Sequence, residues 1–589
     1  MAGTRPGTET DATSPVEPVS LQREARLSIE PHPRLHPVPP IAAGSAELRE
    51  TLREAPSNEE PLDGQEGAAE EQTTGDAGLD VFAHARPSDF GSLLADLSRD
   101  EENPRLRVHD RTHLEISVDY DLLPGEAKQS FMWEAYFFVP ESLRLDSRTY
   151  GKQDVYEDLQ SYVRFAVPEV RYDSLSDEPL ARIERALAVG TTDEIIHEMR
   201  LFVCQVRAAG VLCRREVLNG LDRGTPSSRS RAIQAAGEMV EATKLLVTRA
   251  RAVFATAEGR PEPIATAVAW IEEDLSRLLE TMLGDLAMGL RRGDAPEATV
   301  AAVEAIAVDE ARYRDRTGLG GVGRMGMSRR ELEALEFRRH VLKRFTSSVL
   351  WLKPEVRPAS EWVLHLLYAV AASVAMGFAT MAALWNGADM TGNYGRWVLV
   401  AIVAYAAKDR IKAFLQTLFA NVVSRHFPDR SWRVMGPDRR VELGTMEEQA
   451  GFLSFGELPE DVLDVRRSTR RHDLEERARP ETVLFHRKEV ELQRERIAKC
   501  DERFDALTEI LRLDLRRWLA HTDDPKREFV FADPKLGVVG SAVAPRVYNL
   551  GVVYRLRRLT GAKERGKQGW HRARVVVTRK GIRRIDPVQ

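Results

Sequence analysis

Cysteine is nearly missing from this chain: Cys204, Cys213 and Cys500 are the only 3 in 589 residues. Three scattered thiols exclude a disulfide-stapled scaffold and a zinc knuckle, which need clustered ligands. They fit reduced thiols in a cytosolic compartment. Catalytic signatures are lacking as well: there is no HExxH, GxxxxGK[ST], GxSxG or paired CxxC, and no carboxylate pair stands out by its surroundings. No residue is assigned a catalytic role, and neither cofactor nor metal is expected. No basic segment followed by an apolar core opens the chain, so no cleavable signal peptide is expected.

What is present is unevenly spread. The net charge of -6 averages an acidic stretch, "SNEEPLDGQEGAAEEQTTGDAGLD", with a strongly basic C-terminal end. Residues 1–103 are rich in Pro, Glu, Gly, Ser and Thr and read as a disordered tail. Within it, "EPHPRLHPVPP" has the composition of a stiff polyproline II linker. Order begins near Arg105. "THLEISVDYDL" alternates apolar and polar residues as a half-buried strand does, and "SFMWEAYFFVP" follows a Pro124-Gly125 turn. Residues 104–175 are therefore expected to form a β-hairpin followed by a helix. Apolar residues at three- and four-residue spacing predict a helical bundle over 176–351. Residues 427–589 read as an α+β region. A long helix is expected over 481–520, because Val490, Ile497, Phe504, Leu511 and Trp518 recur every seventh residue. A basic β-hairpin is expected over 546–586. The β segments from the two ends are expected to pack into one composite sheet-containing domain.

Long apolar runs are the strongest signal. "EWVLHLLYAVAASVAMGFATMAALW" has His365 as its only ionisable residue from Trp362 to Trp385. At 1.5 Å per residue that run is about 36 Å long, enough to cross a hydrocarbon core of about 30 Å. The second run, from Trp397 to Ala407, rises only about 16 Å before Lys408, Asp409 and Arg410. Started at Tyr394, with its cations reaching back to headgroups, it sits at the lower limit for a span. The expectation is a mostly α membrane protein built on one transmembrane hairpin: spans 361–385 and 394–411, an outer loop 386–393, and an amphipathic helix 412–426. Cations flank both runs on the body side, which places both termini in the cytoplasm of a bacterial inner membrane.

The candidate site residues follow from that reading. Ala369, Ser373 and Gly377 form a small-residue stripe suited to close helix packing. Trp362, Trp385, Trp397, Lys408, Asp409 and Arg410 mark the membrane interface. Arg555, Arg557, Arg572, Arg574, Arg579 and Lys580 form a basic surface suited to anionic lipid headgroups. Nucleic acid is not expected, because no binding motif accompanies the charge. The expected partners are the bilayer and, as a homo-oligomer, further copies of the chain.

Two motifs are discounted by context. "GLGGVG", Gly318 to Gly323, has the dinucleotide spacing, but a helical pattern precedes it where the mechanism requires a strand. It reads as a link between helices. His109 and His113 in "HDRTH" lack a third ligand and read as a strand entry. The arrangement of helical segment, two spans and short loop resembles that of CorA-type magnesium channels. The loop reads "TGNYG" where those carry Gly-Met-Asn, and a long region follows the second span, so the likeness assigns no residue. The functional expectation is a membrane-anchored scaffold, interaction or signalling protein, with a channel or a membrane-tethered enzyme as the alternatives.

Overall fold

The alternation in "THLEISVDYDL" is realised as strand β2 (His113–Asp121). The computed structural model describes residues 103–587, apart from 258, 358–360, 388–393, 468–480 and 560–568. The tail and most of the expected outer loop thus lie outside the described residues. Leu114, Ile116, Val118 and Tyr120 are buried, as the two-residue period requires. Glu115, on the opposite face, is buried too and is held by Arg107, His109 and Arg512.

β2 does not pair with β3 (Lys128–Pro140), so the expected hairpin does not form. The two strands lie in different sheets. β2 joins a four-stranded sheet with β1 (Arg105–Val108), β4 (Leu159–Phe165) and β9 (Ala506–Asp514), in the order β1-β2-β9-β4. The helix expected after β3 shrinks to α1 (Lys152–Asp158), which runs straight into β4.

The second sheet has eight antiparallel strands in the order β14-β13-β12-β3-β8-β7-β6-β5. They are β5 (Lys353–Arg357), β6 (Arg430–Met435), β7 (Glu442–Leu453), β8 (Glu481–Gln493), β12 (Tyr548–Arg558), β13 (His571–Thr578) and β14 (Gly581–Pro587) beside β3. Strands from both ends of the ordered chain therefore do build composite sheets. The basic hairpin forms as β12–β13 and is extended by β14. Trp133, Trp518, Val490 and Leu511 belong to the core that these sheets share.

The helix expected over 481–520 is replaced by β8, a short α10 (Arg494–Ala498), β9 and a single turn, α11 (Arg516–Leu519). The five residues at seven-residue spacing are all buried, but in different elements. A further hairpin, β10 (Lys526–Asp533) with β11 (Val538–Pro545), stands apart as a two-stranded sheet.

The helical segment is as its spacing requires: α2 (Glu178–Val189), α3 (Thr192–Asp222), α4 (Pro226–Ala255), α5 (Glu262–Arg292), α6 (Glu297–Thr317) and α7 (Arg329–Ser347) enclose a core of their own. Thr191 caps α3 and Ser328 caps α7, each in a reciprocal box with a Glu three residues on.

The expectation of a mostly α membrane protein on a two-helix transmembrane hairpin is overturned. The described residues are mixed, 51% helix and 28% strand with large antiparallel sheets. Of the two apolar helices, α8 (Glu361–Gly387) and α9 (Tyr394–His426), only α8 is long and apolar enough to cross a membrane, over His365–Trp385. α9 fails on composition, since Lys408, Asp409, Arg410 and Lys412 stand in its middle.

The pairing registers fix which strand ends share an edge. Arg357 ends β5 opposite Ser431, near the start of β6, while Pro140 of β3 meets Glu481 of β8 and Gly551 of β12 meets Phe138. The chain therefore leaves for α8, returns from α9 and enters β12 from β11 all at one end of the eight-stranded sheet.

Candidate ligand-binding cleft

β7 outruns its neighbour. β6 pairs with it only as far as Arg430↔Glu448, while β7 continues to Leu453 against β8. The vacated edge opens a cleft of about 540 Å³ at the end of the sheet from which α8 departs. Tyr136 of β3, Gln449 and Gly451 of β7 and Phe485 and Arg487 of β8 line it, with Tyr150, Lys152 and Val155 as the opposite wall. Gly451 keeps the floor open: a Cβ there would sit 3.2 Å from the Phe485 ring.

Asp429 takes the place of the missing strand. Its backbone N–H donates to the Glu448 carbonyl at 2.7 Å, and its carboxylate accepts from the Ala450 N–H at 3.0 Å. The same carboxylate accepts from the Lys152 ammonium at 2.6 Å and the Tyr156 hydroxyl at 3.1 Å, tying α1 to β7. Burial pushes the Tyr136 phenol up to about 12, with Glu134 adding to it. Burial, then Asp429, raises Tyr156. Neither phenol ionises near neutral pH, so Tyr156 stays a hydroxyl donor to Asp429 and Tyr136 an uncharged part of the cleft wall.

Behind the cleft the inward face of the strands carries a buried ion cluster. Lys488 contacts both Glu448 and Glu509 between the two sheets, and it also reaches Ser161 Oγ at 3.3 Å. Tyr120 donates to Glu509 at 2.7 Å. Burial opposes the Lys488 charge, but the two carboxylates overcome it and hold the ammonium well above its ordinary pKa. Burial likewise works against the Glu448 carboxylate, and Lys488 with His486 reverses it. His486 is pushed down by burial against the pull of Glu448, and its Nε2 has no hydrogen-bond partner among the described residues. An ammonium locked between two carboxylates is no nucleophile, and carboxylates so engaged are poor general bases. The cluster pins sheet to sheet.

A second polar cluster joins the bundle to the sheets. His197, Glu198 and Asp501 bring ligand atoms within 4.8 Å of one another, a spacing that would suit a metal. Arg503 already fills the space, bonding to Glu198 and Asp501 at 2.6 Å each. Its guanidinium supplies the positive charge that an ion would bring.

The structure places the expected site residues as follows. Ala369, Ser373 and Gly377 are exposed, and nothing lies within 4 Å of a Cβ built on Gly377. α8 meets α9 through another small stripe, Ala371 and Ala375, with Ala404 buried on α9. Both stripes have four-residue spacing, and spacing alone does not choose between them. Trp385 is exposed at the far end of α8, while the Trp362 and Trp397 side chains lie outside the described set. Lys408 sits 3.9 Å over the Tyr405 ring and 3.6 Å from Asp409, and Arg410 is exposed beside them.

The basic surface is largely neutralised. Arg555 and Arg557 converge on Glu134, Arg574 pairs with Asp586, and Arg579 with Asp524. Arg572 is buried and donates to the Val465 carbonyl at 3.1 Å, leaving Lys580 exposed on the β13–β14 turn.

"GLGGVG" links α6 to α7, and Gly318, Gly320 and Gly321 have positive φ. The loop closes over two guanidinium groups: Arg277 donates to the Gly320 carbonyl at 3.4 Å, and a Cβ on Gly321 would lie 1.7 Å from Arg277 Nη2. Glu273 holds both Arg277 and Arg338 there. In "HDRTH", Asp110 organises the turn by accepting from the Thr112 and His113 N–H groups at 2.7 and 2.8 Å. Sequence reasoning missed the cleft, whose residues lie far apart in the chain. No known family model, curated protein or solved structure matches this chain.

Proposed function

We propose that this is a membrane-bound interaction or signalling protein. α8 and α9 seat it in one leaflet of a bilayer, and its two-sheet body presents the β7-edge cleft to a ligand or partner beside the membrane surface. The observation that carries this reading is the pairing of β5 with β6. The strands before α8 and after α9 are hydrogen-bonded neighbours, so both ends of the apolar excursion stand on one side. α8 therefore does not cross alone, and the charges of α9 oppose a second crossing.

Those charges also set the depth. The helices are joined by the short segment 388–393, so positions equally far from it lie level with one another. Lys408 is fourteen residues after Tyr394, the start of α9, and Ser373 is fourteen before Gly387, the end of α8. Beyond that level α8 is apolar for about 20 Å and α9 for about 16 Å, from Ala407 back to Trp397 with Arg396 beside the connecting segment, the depth of one leaflet rather than of a core about 30 Å thick. The face of α8 that would meet lipid is exposed and apolar, with Val370, Val374, Phe378 and Met381 on it. Lys353, Arg357, Lys408, Arg410 and Lys412 gather at the body end, which favours the anionic cytoplasmic leaflet of a bacterial inner membrane.

Vesicle flotation of the full chain tests the reading. The native chain floats with the lipid. A Val374→Lys/Met381→Lys variant changes two exposed positions, so it melts like the native chain and stays in the aqueous fraction, each lysine costing up to about 2.5–3.5 kcal/mol in hydrocarbon. A native chain that does not float sinks the proposal.

A further inference from the structure

The β10–β11 hairpin has an unusual surface. Phe529, Phe531, Val530, Leu536, Val539 and Val543 are all exposed. They are not confined to one face. Cross-strand pairs share a face, and the register sets Phe529↔Ala542 and Phe531↔Gly540 on one side, with Glu528↔Val543 and Ala532↔Val539 on the other. Both faces are thus apolar over much of their length. A two-stranded sheet with no third strand is at best marginally stable in water.

The hairpin is nonetheless well defined. Gly537, at φ +65°, closes the tip by donating to the Asp533 carbonyl at 2.9 Å. The Asp533 carboxylate accepts from the Lys535 and Leu536 N–H groups at 2.8 and 3.2 Å. This turn holds Leu536 outward at the apex with 73% of its surface exposed. At the base, Arg546 N–H donates to the Pro525 carbonyl at 2.8 Å, and Arg546 pairs with Asp523.

Position decides what covers it. β11 enters β12 at the end of the eight-stranded sheet from which α8 leaves and to which α9 returns. With eight residues per strand, the hairpin extends about 27 Å. Lys526 and Arg527 at its root, and Lys580 on the neighbouring β13–β14 turn, are exposed cations at that same end. A second copy pairing along one strand would leave both apolar faces in water. Lipid covers both faces at once. The open strand edges set a limit, because unpaired N–H and C=O groups are not tolerated deep in hydrocarbon.

We infer that the β10–β11 hairpin is a second membrane-contact element. Its tip, from Phe531 to Val539, enters the headgroup and upper acyl region of the leaflet that holds α8, while Lys526 and Arg527 remain at the phosphates. This rests on the membrane reading proposed above. The hairpin sets the tilt of the body, and so the height of the cleft over the lipid.

The test uses the full chain with an environment-sensitive fluorescent amino acid in place of Leu536. The vesicles are phosphatidylcholine with and without phosphatidylglycerol, carrying lipids spin-labelled near the headgroup. The expected result is flotation, a blue-shifted emission and quenching by the labelled lipid. A Leu536→Asp/Val539→Asp variant is expected to bind several-fold more weakly with an unchanged melt. Flotation with an aqueous, unquenched probe overturns the hairpin inference and leaves α8 as the anchor. A blue shift without lipid quenching that is lost on dilution shows a second copy covering the hairpin and also overturns it. Failure to float overturns both readings.

Discussion

Arg357 and Ser431 face each other in antiparallel register across β5 and β6, although the whole of α8 and α9 lies between them in sequence. The excursion thus begins and ends on one sheet edge. Because β6 pairs with β7 and β7 with β8, the same sheet runs unbroken from the root of the apolar helices to the cleft. Two strands, β6 and β5, therefore lie between the cleft and α8, to which β5 leads.

Lys488→Met leaves Glu448 and Glu509 facing each other across the two sheets. Breaking a buried pair from one side costs about 3–5 kcal/mol. Chemical denaturation of the variant should show a loss of that order, and adding Glu448→Gln and Glu509→Gln should recover part of it. A loss under 1 kcal/mol would mean that the cluster does not pin the sheets.

Lys343 gives a signed pH dependence. It is 4% exposed on α7, and burial, then Arg207 and Arg339, push its pKa down to about 6, against the opposing pull of Asp274 and Glu336. The unfolded chain binds this proton up to its ordinary pKa of about 10.4 while the folded chain has released it. Stability from this group is therefore lowest below pH about 6 and rises with pH towards 10, by at most about 1.4 kcal/mol per unit. Lys343→Met should flatten that slope between pH 6 and 9 in melting experiments and raise stability at the acid end. An unchanged slope would refute the assignment.

Gly321→Ala tests the reading of the glycine-rich link. The new Cβ meets the Arg277 guanidinium, which is held by Glu273, and the residue must keep a positive φ. Overpacking of this kind costs about 1–3 kcal/mol. The melt should fall accordingly, with no change in response to added dinucleotide in either chain. A dinucleotide-dependent stabilisation of the native chain that is lost in the variant would reinstate a nucleotide site.

Asp429→Ala removes the carboxylate that stands in for a strand. The Ala450 N–H and the Lys152 ammonium lose their acceptor, and leaving a buried donor unsatisfied costs about 1–3 kcal/mol. Amide exchange at Ala450 should accelerate at least tenfold while the β3–β8 amides stay protected. Equal protection in both chains would show that the edge is held by something else.

The sequence is a good guide to what is buried and a poor one to how it is arranged. The seven-residue spacing from Val490 to Trp518 marked five core residues correctly, yet they belong to strands, a short helix, a loop and a single turn. The reason is visible in β8: its inward positions Leu484, His486, Lys488, Val490 and Leu492 have the period of a strand, but His486 and Lys488 hide it by putting the ion cluster where apolar residues would be expected. β10–β11 escaped notice for the opposite reason, since apolar side chains on both faces erase the alternation that announces a strand. α8 was legible because its composition alone distinguishes it. The cleft was not, because Tyr136, Lys152, Gly451 and Arg487 come together only once β7 has outrun β6.

The depth of the α8–α9 tip tests the central claim most directly. A fluorescent amino acid at Leu384, read in vesicles with lipids spin-labelled at graded depths, should be quenched best by labels near the bilayer centre, and a membrane-impermeant reagent trapped in the vesicle lumen should not reach it. Reaction with the lumenal reagent would show full crossing and contradict anchoring in one leaflet. An unquenched probe would remove the membrane from the account.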